Sequence, residues 1–169
     1  MKKFLLLFSI ICLSFAFTNC EKDDLCDAAT PTTSRLVIEF FDEANPTVVK
    51  NVTNLKVFGK DRIDTIGVYN AVSRILLPLN TSLDSTSYKF VLNSGNVEAV
   101  NIDFLKVNYK RENTFVSRAC GYKSVFNLNP VGAVERTDVQ PADGIWMKAI
   151  LVTNRTIESE NETHIKVYF

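Results

Sequence analysis

The sequence predicts an all-β domain: an antiparallel β-sandwich of immunoglobulin-like architecture, with about eight or nine short strands, behind a cleaved N-terminal signal peptide. Three observations carry this. The 150 residues after position 19 contain 18 Val, 9 Ile and 13 Thr against only 9 Ala, and β-branched side chains fit a pleated surface better than a helix. The same stretch holds 14 Asn, a residue that favours turns and weakens helix interiors. Apolar residues recur every second position in short runs, and no long segment has the period of a helix face.

The strands follow in order. Leu36, Ile38 and Phe40 alternate with Val37, Glu39 and Phe41, up to the turn Asp42-Glu43-Ala44-Asn45-Pro46. A second strand is expected over Val48 to Phe58, closed by Gly59-Lys60-Asp61, while residues 61–72 read ambiguously as a crossing between sheets. Arg74 to Leu79 reads as a short buried strand, with Pro78 suggesting a sheet edge. Ser87 to Leu92 forms the next. The clearest hairpin begins at Val100 and reaches Tyr109, turns through Lys110-Arg111-Glu112-Asn113, and returns over Thr114 to Leu128, with Gly121 as a bulge or a close approach. Ile145 to Thr153 and Thr163 to Phe169 complete the set. In the last, Ile165, Val167 and Phe169 share one face, with His164, Lys166 and Tyr168 on the other. A small outer-membrane barrel is disfavoured because Lys50, Lys56, Arg74, Lys89 and Lys106 interrupt any continuous lipid-facing band.

The N-terminus reads as an address. Lys2 and Lys3 precede the mostly apolar run Phe4 to Phe17, which Thr18-Asn19-Cys20 closes before Glu21-Lys22-Asp23-Asp24. A 14-residue run spans about 21 Å as a helix, short of a hydrocarbon core of about 30 Å. The order resembles a bacterial lipoprotein signal, in which the cysteine is acylated and becomes the first mature residue. Phe17 and Asn19 depart from the common lipobox but resemble the looser boxes of Bacteroidota lipoproteins, and Lys22-Asp23-Asp24 resembles their surface-export signal. Cysteine arithmetic favours this over ordinary secretory cleavage after Ala16. Acylation of Cys20 leaves Cys26 and Cys120 to form a disulfide, whereas ordinary cleavage leaves an orphan thiol. The expected organisation is a signal peptide over 1–19, an acylated Cys20 with an acidic, Thr/Pro tether over 20–34, and one β-sandwich domain over 35–169.

Composition excludes some partners. After removal of the leader, 17 basic residues face 19 acidic ones, which disfavours nucleic acid and attachment to anionic lipid by charge alone. His164 is the only histidine, so any Ser/His/Asp triad or zinc site has to be built on it. Its place beside Lys166 reads instead as a solvated strand residue. Asp61 with Asp64, and Asp138 with Asp143, fall short of the six to eight oxygens that calcium takes, so neither a metal nor a cofactor is expected. Trp146 reads as a core residue. The sequons at Asn51, Asn80, Asn154 and Asn161 read as chance in an Asn- and Thr-rich chain. Asp64-Thr65-Ile66 and Asp84-Ser85-Thr86 resemble the O-glycosylation sites of Bacteroidota exported proteins, which makes Thr65 and Ser85 candidate sites.

The stretch Cys20-Glu21-Lys22-Asp23-Asp24-Leu25-Cys26-Asp27, the entry from Thr30-Pro31-Thr32 to Ile38-Glu39-Phe40, and Ser117-Arg118-Ala119-Cys120-Gly121-Tyr122 together resemble a family of uncharacterised flavobacterial-type lipoproteins carrying a domain of unknown function. The resemblance implies an envelope lipoprotein and transfers no catalytic residue. The expected function is therefore a non-catalytic module, lipid-anchored at the outer membrane and displayed on the surface or in the periplasm, that binds a protein or glycan partner. A structural or assembly accessory of an outer-membrane complex is the alternative, and a hydrolase a distant third.

Overall fold

The computed structural model describes residues 25–30 and 32–169, so Cys20 and the leader lie outside the described residues. No helix among the described residues is long and apolar enough to cross a membrane. Among the described residues eleven strands form two antiparallel-rich sheets: β1 (Leu36–Phe41), β2 (Leu55–Gly59), β3 (Thr65–Tyr69), β4 (Arg74–Leu77), β5 (Ser85–Leu92), β6 (Asn101–Ser117), β7 (Gly121–Leu128), β8 (Val134–Asp138), β9 (Ala149–Val152), β10 (Thr156–Ile157) and β11 (Ile165–Tyr168). A four-stranded sheet runs β4-β1-β11-β9. A seven-stranded one runs β10-β7-β6-β5-β2-β3, with β8 also paired to β6. Leu36, Ile38, Phe40, Ile75, Leu77, Ile165 and Val167 from the first sheet meet Leu55, Val57, Tyr88, Phe90, Leu105, Val107, Tyr109 and Phe126 from the second in one buried core. Each set comes from alternate positions of its strands, so the period of two puts one face of each sheet inside.

Several expectations need correction. The sandwich is not antiparallel throughout, because β1 pairs β11 in parallel, Ile38 opposite Ile165 and Phe40 opposite Val167. The expected second strand starts only at Leu55; before it, Val49 and Val52 make isolated bridges to Phe41 and Val72. The ambiguous stretch 61–72 supplies β3, which forms a hairpin with β2. Lys110-Arg111-Glu112-Asn113 is not a loop but the middle of the 17-residue β6. Its polar side chains have partners: Arg111 pairs with Asp84 at 2.7 Å, and Asn113 accepts from the Ser124 hydroxyl at 2.9 Å. Gly121 is no bulge. It adopts φ +70° at the exit of the true turn, a left-handed conformation that suits glycine, and nothing lies within 4 Å of where a Cβ would stand. Residues 145–148 precede β9 rather than belong to it, and place Trp146 against the rings of Phe40, Phe90 and Phe169. The strands β8 and β10 are additional to the expected set.

Contacts divide the chain into two compact units. One, in its described part, consists of residues 25–30 with Phe115–Tyr122, and the other of Thr32–Thr114 with Lys123–Phe169. The described part of the first unit contains the expected disulfide, Cys26 to Cys120, with a Cα separation of 4.9 Å across 94 positions. That separation suits a disulfide. Within this unit the Ala29 and Thr30 N–H groups turn back onto Asp27 at 2.9 Å each, and the Cys120 N–H donates to Ser117 Oγ at 3.0 Å. The larger unit contains the core and everything described next.

Candidate functional site

The outward face of the seven-stranded sheet is built from the polar phase of each strand's alternation. Leu55 and Val57 point inward on β2, so Lys56 and Phe58 point out. Likewise Lys89 and Val91 on β5, and Ile102, Phe104 and Lys106 on β6, alternate with buried neighbours. Register then sets the rows. Val68, Lys56, Val91 and Ile102 form one; Phe58, Lys89, Phe104 and Thr137 the next; Ser87, Lys106 and Glu135 a third. Lys56, Lys89 and Lys106 therefore lie on a diagonal, each one strand over and two residues along from the last. With strands about 4.8 Å apart and about 3.4 Å per residue, successive Cα atoms stand roughly 8 Å apart.

Aromatic rings support this file without neutralising it. Lys89 Nζ lies 4.5 Å from the centre of the Phe58 ring, and Lys60 Nζ 5.8 Å from that of Phe104. Among the described residues, the one carboxylate ion-paired to this group is Glu135, 3.4 Å from Lys106 and held also by the Asn108 amide. The face thus gathers four ammonium groups on a chain whose 19 basic and 19 acidic residues balance.

Beside it, past Lys60 and Ser87, is a cleft of about 550 Å³ whose walls include Asp61, Asp64, Thr65, Asn80, Ser85 and Ser87. The Lys60 N–H donates to the Ser87 carbonyl at 2.9 Å, joining cleft and sheet face. Both candidate glycosylation residues border this cleft, Thr65 exposed at the start of β3 and Ser85 half-buried at the start of β5. The cleft's neighbour β3 is the end strand of its sheet and has no charged residue; Val68 is 61% exposed.

His164 is not the solvated strand residue expected. It precedes β11 and is fully buried. The Val37 N–H donates to its Nδ1 at 3.0 Å, and the His164 N–H donates to the Val37 carbonyl at 3.1 Å. An amide can only donate, so Nδ1 carries the lone pair and the neutral ring keeps its proton on Nε2. That nitrogen is buried without a hydrogen-bond partner. Burial, the largest influence, pushes the imidazole below its ordinary range, with Glu162 opposing. A cavity of about 220 Å³ bounded by Thr156, Glu158, Ser159, Glu162 and His164 brings acids and a hydroxyl near the ring. A triad needs Nδ1–H on the acid and a free Nε2 lone pair for the nucleophile. Here the two nitrogens have the opposite roles.

Asp138, Asp143 and Asp103 hold main-chain N–H groups. Asp143 accepts from the Ile102 N–H at 2.9 Å, and Asp138 from the Val139 and Gly144 N–H groups at 2.7 and 3.1 Å. Asp103, unremarked in the sequence, is fully buried, and its Oδ2 accepts from the N–H groups of Trp146 and Met147 at 3.1 and 2.8 Å. Burial pushes its carboxyl above the usual range. Among the described residues no three His, Cys, Asp or Glu side chains are grouped to hold a metal ion. The lysine file could have been found in the sequence, since each lysine of the file sits between apolar neighbours in an alternating run. What the sequence lacks is the register that aligns them.

A model for a family of unknown function (DUF6452) matches residues 54–169. No curated protein matches the chain, and no solved structure does.

Proposed function

The chain belongs to the family of unknown function DUF6452, and we propose that it is a lipid-anchored envelope module that binds an acidic protein or glycan partner without catalysing a reaction. The observation that carries this reading is the segregation of Lys56, Lys60, Lys89 and Lys106 on one sheet face of a charge-balanced chain. Ammonium groups held over phenyl rings keep their N–H donors and their charge for a ligand, and concentrated charge of one sign steers an oppositely charged partner. Acylation at Cys20 supplies the anchor, from a Bacteroidota-type signal that places the module at the outer membrane. The reversed nitrogen roles at His164 favour binding over hydrolysis.

The test is a pull-down of the acylated full chain from its own membranes, wild type beside Lys89→Gln/Lys106→Gln. The partner should be recovered at least tenfold less by the double variant, and equal recovery would sink the reading. Cys20→Ala should release the protein from membranes. A second reading, an assembly accessory that adds a partner's strand to β3, is favoured by the uncharged edge with Ile66 and Val68 exposed on it. Partner recovery lost on Val68→Lys but kept in the lysine double variant would select it.

A further inference from the structure

We propose that the disulfide-bonded tip of the β6–β7 hairpin is a membrane contact, seating Phe115 and Tyr122 in the headgroup region of the bilayer that holds the chain; this rests on the acyl anchor proposed above. The tip is unlike the rest of the chain in composition. Residues 25–30 and Phe115–Tyr122 contain two charged side chains, Asp27 and Arg118, of opposite sign, whereas 22% of the whole sequence is charged. Three large apolar side chains stand in solvent here: Leu25 is 85% exposed, Tyr122 69% and Phe115 55%. Phe115 and Tyr122 form an edge-to-face pair with ring centres 5.4 Å apart. That pairing fixes an amphipathic aromatic surface next to an exposed arginine, the composition that settles at the level of lipid headgroups.

The chain leading to the tip says what covers it. Cys26 is six positions from Cys20, a stretch that reaches at most about 20 Å when fully extended. The disulfide places Cys120, at the turn of the hairpin, 4.9 Å from Cys26 by Cα. An acylated Cys20 therefore confines this tip to the neighbourhood of the bilayer surface. A partner protein would need no such leash, and an aromatic pair held that close to lipid lowers its free energy by leaving water for the interface.

The experiment uses the full acylated chain in phosphatidylcholine vesicles whose acyl chains are brominated near the headgroup. Phe115→Trp introduces a tip indole, read as a difference from the wild-type signal of buried Trp146. The introduced fluorescence should shift to shorter wavelength and be quenched at least twofold, and Tyr122→Trp should behave alike. Because both positions are exposed, the variants should fold as wild type does. If the protein floats with the vesicles while the introduced indoles stay unquenched, the tip contact is overturned and the anchor stands. If the wild type does not float at all, both fall. A photoreactive group at Phe115 that labels protein but no lipid in native membranes overturns the proposal in favour of a protein partner.

Discussion

Among the described residues each sheet buries one acid or imidazole, Asp103 in β6 and His164 at the entry to β11, and the two solve the same problem with opposite chemistry. Both are fully buried, and both accept main-chain N–H groups of a neighbouring segment. Asp103 holds the segment Trp146–Met147, which lies between strands and has no sheet partner of its own there. His164 joins β11 to the first strand at the start of their parallel pairing. Burial raises the carboxyl and lowers the imidazole, so both are drawn toward their neutral forms. The difference lies in the number of amides each one satisfies, two against one, and it ranks the consequences of removing them. In each case one acceptor atom is committed to the fold, Oδ2 of Asp103 and Nδ1 of His164, while Asp103 Oδ1 is buried without a hydrogen-bond partner.

The largest expected effect is therefore at Asp103. Replacement by leucine keeps the branching at Cγ but strands two buried donors, at about 1–3 kcal/mol each. A loss of about 2–6 kcal/mol in unfolding free energy is expected by urea titration. Asp103→Asn keeps an oxygen for both amides and should recover more than half of that. Equal losses for the two variants would mean that packing, not amide capture, makes the site matter. His164→Ala strands one donor, and about 1–3 kcal/mol is expected. Asparagine at the same place puts an oxygen where Nδ1 stands, so His164→Asn should be milder. If His164→Ala proves more costly than Asp103→Leu, the ranking by amide count is broken.

A smaller change sharpens the same contrast between sheets at their rim. Gly67 on β3 lies under Tyr69: a Cβ there would come within 2.5 Å of the ring, whose hydroxyl donates to the Leu76 carbonyl of β4 at 3.3 Å. Gly67→Val should cost about 1–2 kcal/mol through this overpacking, measured as a lowered Tm, without altering the lysine-dependent pull-down. Loss of partner recovery in that variant would tie binding to the β3 edge rather than to the lysine face.

Much of the fold was legible, and the misses share a cause. β5 was visible because alternation is a local signal and its buried face follows it; β1 was visible as a short apolar run and is buried at every position but Glu39. The run Lys110-Arg111-Glu112-Asn113 looked like a loop because its partners, Asp84, Asn127 and Ser124, are distant in sequence. The parallel pairing of β1 with β11 is likewise a long-range choice that no local period encodes. Alternation grouped His164 with Lys166, but the strand begins one residue later, and the histidine turns inward to meet Val37. For the candidate site, the lysines were visible as interruptions of an apolar band. Their meaning came only when register placed Lys56, Lys89 and Lys106 on neighbouring strands.

The smallest effect, and the most diagnostic, is in pH. His164 has a lowered affinity for protons in the folded state, so just below its ordinary value of 6.5 the unfolded chain binds a proton that the folded one does not. Stability then rises with pH across that window: the contribution is complete above 6.5 and is lost as pH falls through the folded value. Asp103 has the opposite sign. Its raised folded value means that the folded chain keeps a proton the unfolded one has released above 3.8, so stability falls as pH rises through that window. One proton gives a slope of at most about 1.4 kcal/mol per pH unit. Unfolding free energies of wild type, His164→Asn and Asp103→Asn, measured from pH 3.5 to 7.5, should separate the two. Relative to wild type, His164→Asn should gain stability as pH falls from 6.5, because the replacement has no proton to take up. Asp103→Asn should gain relative stability as pH rises from 3.8. Parallel curves for wild type and His164→Asn would mean that the ring is protonated alike in both states, and the assignment of a neutral, Nε2-protonated imidazole would fail.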